Sequence, residues 1–313
     1  MSNKLILLPR IHVQNANALS SPFTIGFPAM TAWLGAVHAL QRKLNANAIP
    51  AVFSAVGVVV HRFDLQTYKG PGDFVHSIIG TGNPLEPKSK KGKPKGNAVR
   101  PSFIEEARCH LEASLLIEYA GIEAPDELWM LEQIYQLMLG SMKLAGGDIL
   151  SCKEPEIIRD FQATKRQLMP GYALIERRDL MEEAMEQGQD AMDAMLDYLA
   201  IHHSCTKEII NGQEHISWQR KRKSTGPNSQ TGWIVPIATG FHGISELGTA
   251  INQRAPETPH RFAESIVTLG EFKMPYRLDS PEDLLWRYHV EPETNLYLCI
   301  QQKLKSETSN DDY

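Results

Sequence analysis

Two successive β-α-β passes and a Gly/Pro/Lys-rich stretch between them predict an α+β fold for this 313-residue chain, with long insertions in one core. The first pass opens on an apolar strand and the second on an alternating one, and each crosses over through a helix with a one-sided apolar stripe. The intervening residues 64–102 are rich in Gly, Pro, Lys and Asn, the composition of a surface insertion.

Leu5 to Gln14 reads as a strand, and Gln14-Asn15-Ala16-Asn17 with Ser20-Ser21-Pro22 as a polar loop leaving it. Met30, Trp33, Leu34, Val37, Leu40 and Leu44 recur at helical spacing, with Pro28 near the helix start. Val52 to Val60 is β-branched, as a buried strand should be, and is expected to open into a loop at His61-Arg62-Phe63. In the insertion, Pro84 to Lys95 reads as a mobile surface loop. Arg108, His110, Glu112 and Ser114 then alternate with Cys109, Leu111, Ala113 and Leu115, the period of a half-buried strand. Leu128, Leu131, Ile134, Tyr135, Met138 and Met142 give a second helix that stops near Gly146-Gly147. Leu168 to Ile175 closes the second pass as a strand. Leu180 to Leu199 is expected as one amphipathic helix, with Met181, Met185, Met192, Met195 and Leu199 inward. Short strands around Trp233 to Ala238 and Ile266 to Phe272 and a helix over Pro281 to Tyr288 complete the chain.

With the insertions ignored, this order is the split β-α-β pattern of RRM-like and ferredoxin-like folds. Residues 1–313 are therefore expected to form a single domain, with insertions at 64–102 and 202–230 and a C-terminal α/β extension over 231–313.

Composition narrows the function. Hydrophobic residues make up 42% of the chain, ample for a packed core. The longest apolar run, Ala51 to Val60, is interrupted by Ser54 and Gly57, well short of the roughly 18 residues of a membrane span. Leu5 to Leu8 is too short for the apolar region of a signal peptide. Cys109, Cys152, Cys205 and Cys299 are widely spaced, which suggests neither a disulfide framework nor a zinc knuckle and fits a reducing cytoplasm. A net charge of −5 and a pI near 6.1 argue against a free-standing nucleic-acid binder. The charge is segregated, however: Lys88, Lys90, Lys91, Lys93 and Lys95 form one basic run and Arg220 to Lys223 another, while Asp179 to Asp197 carries seven acids and no base.

No zinc-binding His spacing, phosphate-binding glycine loop or hydrolase elbow occurs, so no metal or cofactor is expected. His61 with Arg62, or His110 with Arg108, has the minimum equipment of a metal-free ribonuclease; the competing reading makes them strand-end polar groups. The Gln/Asn/Ser loop at 14–21, the Gly146-Gly147 pair and the scattered cations fit single-stranded RNA. The blander readings are a helix cap, a helix stop and a solvated lysine loop.

Leu7-Leu8-Pro9-Arg10, Gln14-Asn15-Ala16-Asn17-Ala18, Ser20-Ser21-Pro22, Gly26-Phe27-Pro28 and Val37-His38-Ala39-Leu40-Gln41-Arg42 follow in a specific order and spacing. His61-Arg62-Phe63, Met142 to Gly147, Gly232 to Pro236 and Leu284-Leu285-Trp286 continue the series. Together they resemble the Csy-type family of the RAMP superfamily, whose members hold the 5′ handle of the guide RNA in type I-F CRISPR surveillance complexes. The resemblance implies an RRM-like core, a non-catalytic role in antiviral defence, and as partners the crRNA handle, a large subunit, a backbone filament subunit and target double-stranded DNA. On that reading Gln14, Asn15 and Asn17 contact base edges, and Arg10, Arg62, Arg108 and Lys143 contact phosphates. Ser20, Ser21, His61 and His110 line the site, and Gly146-Gly147 allows close backbone approach. The chain departs from the family pattern at Lys88 to Asn97, where it is longer and more basic; this run is assigned to the DNA backbone. A metal-independent endoribonuclease that processes guide precursors is the alternative function.

Overall fold

The computed structural model describes residues 4–81, 89–90, 93–94, 106–210, 213–223, 233–251, 253 and 255–302. Strand β1 (Lys4–Asn17) leads through a tight hairpin, Leu19–Ser21 with Thr24–Ile25, into helix α1 (Met30–Ala46). All six apolar positions of the expected α1 stripe are buried. Strands β2 (Val52–Leu65) and β3 (Glu106–Ala120) follow, then helix α2 (Glu127–Gly140) and the hairpin β4 (Lys143–Leu144) and β5 (Gly147–Ser151). Next come β6 (Glu156–Ile158), α3 (Phe161–Gln167), β7 (Tyr172–Glu176), α4 (Arg178–Glu186) and α5 (Ala191–Leu199). The ribbon β8 (His202–Ile210) and β9 (Gln213–Lys221) precedes β10 (Trp233–Gly243), β11 (Ala263–Lys273), β12 (Leu285–Glu291) and β13 (Leu296–Ile300).

The main sheet runs β4-β5-β1-β3-β2-β7-β11-β10-β13-β12, with β6 beside β5 on the same edge of β1. Every pairing in it is antiparallel. The sheet also closes on itself. The outer edge of β2 pairs with β7 at Val59 and Val60 and with β12 at Val56 and Gly57. Trp286, wholly buried, locks this closure: its indole N–H donates to Leu174 O at 3.0 Å. On one face, α1 and α2 enclose the largest apolar cluster, where Phe27 stacks on Trp33 at 5.3 Å and meets Phe272 edge-on at 5.5 Å. On the other, Leu7, Val59, Leu116, Leu284 and Leu285 form a second cluster.

Several elements differ from the sequence reading. Gln14 to Asn17 is strand rather than loop, because β1 continues through register shifts at Leu8/Ile11 and Val13/Ala16. Likewise His61-Arg62-Phe63 stays in β2, where Arg62 and Phe63 pair with Glu112 and Leu111. In α2 the buried face is Met130, Ile134 and Met138, and Leu128 is 78% exposed. The strand expected from Leu168 starts only at Tyr172, since Leu168 caps α3. That strand also lies beside β2, whereas the place beside β1 goes to β5 and β6. The expected helix over 180–199 is broken at Gly188 (φ +90°) and restarts at Asp190, whose carboxylate accepts from Met192 N. Pro281 opens only one 3₁₀ turn, because Leu285 and Trp286 are captured by the edge of β2.

Ring closure leaves no room over Gly57: a Cβ there would sit 1.5 Å from Leu284 Cδ1 and 3.1 Å from Leu284 O. Gly57→Ala is therefore expected to destabilise the fold by about 1–3 kcal/mol, read as a lower urea midpoint with unchanged slope.

Candidate nucleic-acid interface

The bulges in β1 shape its exposed end. Arg10 (φ +53°) and Asn15 (φ +56°) sit in the left-handed region at the two register shifts, and such bulges re-aim side chains. Asn15 becomes the hub of an exposed polar cluster. Its N–H donates to His110 Nδ1 at 3.3 Å, its Oδ1 accepts from Gln66 Nε2 at 2.7 Å, and its carbonyl accepts from Arg108 Nη1 at 3.3 Å. Gln66 Nε2 also lies 3.3 Å from His110 Nε2. Sequence reasoning missed Gln66, which falls within the insertion expected at 64–102; the extension of β2 to Leu65 brings it to the cluster.

Gly146-Gly147 is a hairpin turn rather than a helix stop. Ala145 (φ +49°) and Gly146 (φ +74°) are the two central residues between β4 and β5, the left-handed pair of a type I′ turn. The turn is laid against β1: Asn17 N donates to Ala145 O at 2.8 Å, and a Cβ on Gly147 would fall 2.7 Å from both Gln14 O and Ala16 N. An open groove of about 690 Å³ results. It gathers Asn17, Ser20, Arg108, Lys143 and Gly146, all expected from the sequence, against the small residues Ala32, Gly35, Ala36 and Ala39 of α1. Lys143 pairs with Asp148 at 2.6 Å on the open surface, and Arg108 pairs with Glu106. A smaller depression of about 280 Å³ collects Gln14, Arg62 and His110 with His12, Asp64 and Glu112.

Several candidates, the groove residues Asn17 and Ser20 among them, also make bonds within the fold. The Arg10 guanidinium donates to Glu112 Oε1 at 3.1 Å and Met169 O at 3.0 Å, so much of its capacity is used internally. Ser20 and Ser21 bond the Thr24 hydroxyl at 2.9 and 2.6 Å, which fixes the tight hairpin, and Ser21 is buried. Asn17 Oδ1 accepts from Leu19 N at 2.9 Å, a local turn. Lys88, Lys91 and Lys95 fall outside the described residues; Ser89–Lys90 pairs with Lys93–Pro94 as a short ladder. Among the described residues no cluster of three or more potential metal ligands occurs, and no helix is long and apolar enough to cross a membrane.

His61 is a clip. A carbonyl can only accept, so Nδ1–H donates to Pro170 O at 2.8 Å, which makes Nε2 of the neutral ring the acceptor for the Ser114 hydroxyl at 2.7 Å. Ser114 Oγ in turn accepts from Arg10 N at 3.0 Å. Burial, the leading cause, lowers the His61 pKa from 6.5, and the nearby Arg10 charge adds to it. The unfolded chain thus takes up a proton more readily than the folded one, so this stability is present above pH 6.5 and is lost as pH falls below it. Between about pH 7.5 and about pH 5.5, His61→Gln should be less stable than the parent at the upper pH yet lose less on acidification, as read by urea midpoints.

Comparison with known proteins agrees with the resemblance read from the sequence. The family model described as CRISPR-associated protein (Cas_Csy2) matches residues 6–299. The chain is 35% identical to CRISPR-associated protein Csy2 of Pseudomonas aeruginosa (strain UCBPP-PA14) across 323 aligned positions, covering 94% of each chain. Matched from its first core strand to its last, and at that identity, the chain belongs to the Cas_Csy2 family of CRISPR-associated proteins.

Proposed function

We propose that this chain is a non-catalytic subunit of a type I-F CRISPR surveillance complex and that its groove grips the 5′ handle of the guide RNA. One observation carries the reading: three stretches distant in sequence, bringing Asn17 with Ser20, Arg108, and Lys143 with Gly146, meet in one open groove. Its two cations suit phosphates, its amide and hydroxyl suit base edges, and its Gly/Ala wall on α1 lets a single strand approach the helix closely. The order β5-β1-β3-β2, with α1 and α2 as the crossovers, supports an RRM-like core at residues 4–151. The adjacent Asn15, Gln66 and His110 cluster would extend base reading beyond the groove.

In this account the protein acts in the cytoplasm, beside a large subunit and a backbone filament subunit, and the complex recognises target double-stranded DNA in antiviral defence. The endoribonuclease alternative is less favoured, because both ring nitrogens of His61 are occupied within the fold. Incubation of handle RNA with the purified protein in EDTA should leave the RNA intact. Cleavage abolished by His61→Ala or His110→Ala would instead establish the nuclease.

Replacing Asn15 and Asn17 together by Ala is expected to weaken handle binding by about 1–3 kcal/mol in filter-binding assays, with little change for a scrambled handle. Equal losses for both RNAs would refute base reading. Asn17→Asp, which keeps the turn acceptor for Leu19 N but removes the amide donor, separates recognition from local structure. For the lysine run, changing Lys88, Lys90, Lys91, Lys93 and Lys95 to Ser should reduce the salt dependence of target-DNA binding by about 0.9 in log–log slope per lost phosphate contact. Guide RNA retention should be unchanged; an unaltered DNA slope would assign the run to solvent.

A further inference from the structure

The helix pair α4–α5 carries a surface that the groove does not use. Its inner side is satisfied: Leu180, Met181, Met195 and Tyr198 pack with Ile234 of β10 and Leu269 of β11. Three large apolar side chains also reach its outer side. Met185 is 49% exposed, Met192 47% and Leu196 53%, and Met192 and Leu196 lie one helical turn apart.

The same two helices are acidic. Seven acids and no base occur from Asp179 to Asp197. Some have structural duties: Asp179 holds Arg177, Asp190 caps α5, Glu182 pairs with Arg178, and Asp197 holds Lys223 at 2.6 Å. Glu183, Glu186 and Asp193 are exposed on the same short helices, and clustering like charges there opposes folding.

We infer that the outer face of α4–α5 docks a basic amphipathic helix from a protein partner. Charge complementarity selects the occupant: the acids attract Lys and Arg flanking an apolar stripe and repel the phosphates of any nucleic acid. The exposed methionines suit an apolar stripe, because their unbranched, polarisable side chains repack against different shapes. This surface lies on elements separate from the groove, so the inference stands apart from the guide-RNA reading.

The probes are a fluorescein-labelled Leu/Lys amphipathic peptide of about four helical turns and its Leu/Glu counterpart, titrated against the full chain by anisotropy. The Leu/Lys peptide should bind saturably and the Leu/Glu peptide should not. Glu183→Lys with Asp193→Lys should weaken Leu/Lys binding by about tenfold or more and confer binding of the Leu/Glu peptide. Met192→Gln with Leu196→Gln, at positions already half exposed, should weaken Leu/Lys binding at an unchanged melting temperature. Handle-RNA affinity should be the same in all proteins. Equal Leu/Lys affinity in the parent and both variants, or equal binding of the two peptides by the parent, would overturn the assignment.

Discussion

The fold depends on the double use of one strand. β2 gives one edge to β3 along its whole length and divides the other between β7 and β12, so the N-terminal sheet and the C-terminal strands share a backbone seam. Gly57 makes this division possible, since any side chain there would meet Leu284. Trp286 holds it, filling the core beneath α1 while its N–H takes the carbonyl of Leu174 in β7. Burial of a large apolar side chain of this kind contributes roughly 1.5–3 kcal/mol. An indole N–H left without an acceptor would offset much of that gain.

A second close approach builds the groove from the first sheet. Gly147 brings the β4–β5 hairpin directly onto β1, and Asn17 N is bonded to the turn carbonyl of Ala145. The left-handed backbone at Asn15 turns that residue toward Gln66, Arg108 and His110 on the neighbouring strands. Opposite this hairpin, α1 presents Ala32, Gly35, Ala36 and Ala39. The groove therefore lies between a helix and a hairpin, and its cations Arg108 and Lys143 are paired with the acidic neighbours Glu106 and Asp148.

What the sequence made legible was what local periodicity controls. The α1 stripe was readable because one face of that helix is wholly buried and the other is solvated, so the period of 3.6 is clean. The buried run of β2 and the alternation in β3 were readable for the same reason. Errors arose where tertiary pairing overrode local signals. Gly146-Gly147 carries turn chemistry that fits a helix stop or a hairpin equally well, and only the pairing of Lys143 with Asp148 decides between them. Pro281 and the capping box of Ser280 and Asp283 announce a helix, but β2 draws Leu285 and Trp286 into the sheet. Among the candidate site residues, Asn17, Ser20, Arg108, Lys143 and Gly146 line one groove, whereas Arg10, Ser21 and His61 are bonded within the scaffold. Polarity in a sequence does not reveal whether a group's partners are internal.

The central claim is that the groove between α1 and the Ala145-Gly146 turn is where the guide RNA is held. A cryo-electron microscopy map of the assembled complex with its RNA tests this most directly. The account predicts continuous single-stranded density at the 5′ end of the guide, running through that groove, with a backbone phosphate near Arg108 or Lys143 and a base beside Asn15 or Asn17. A map in which the groove is filled by a protein side chain or by solvent while the 5′ end lies elsewhere on the chain would contradict it.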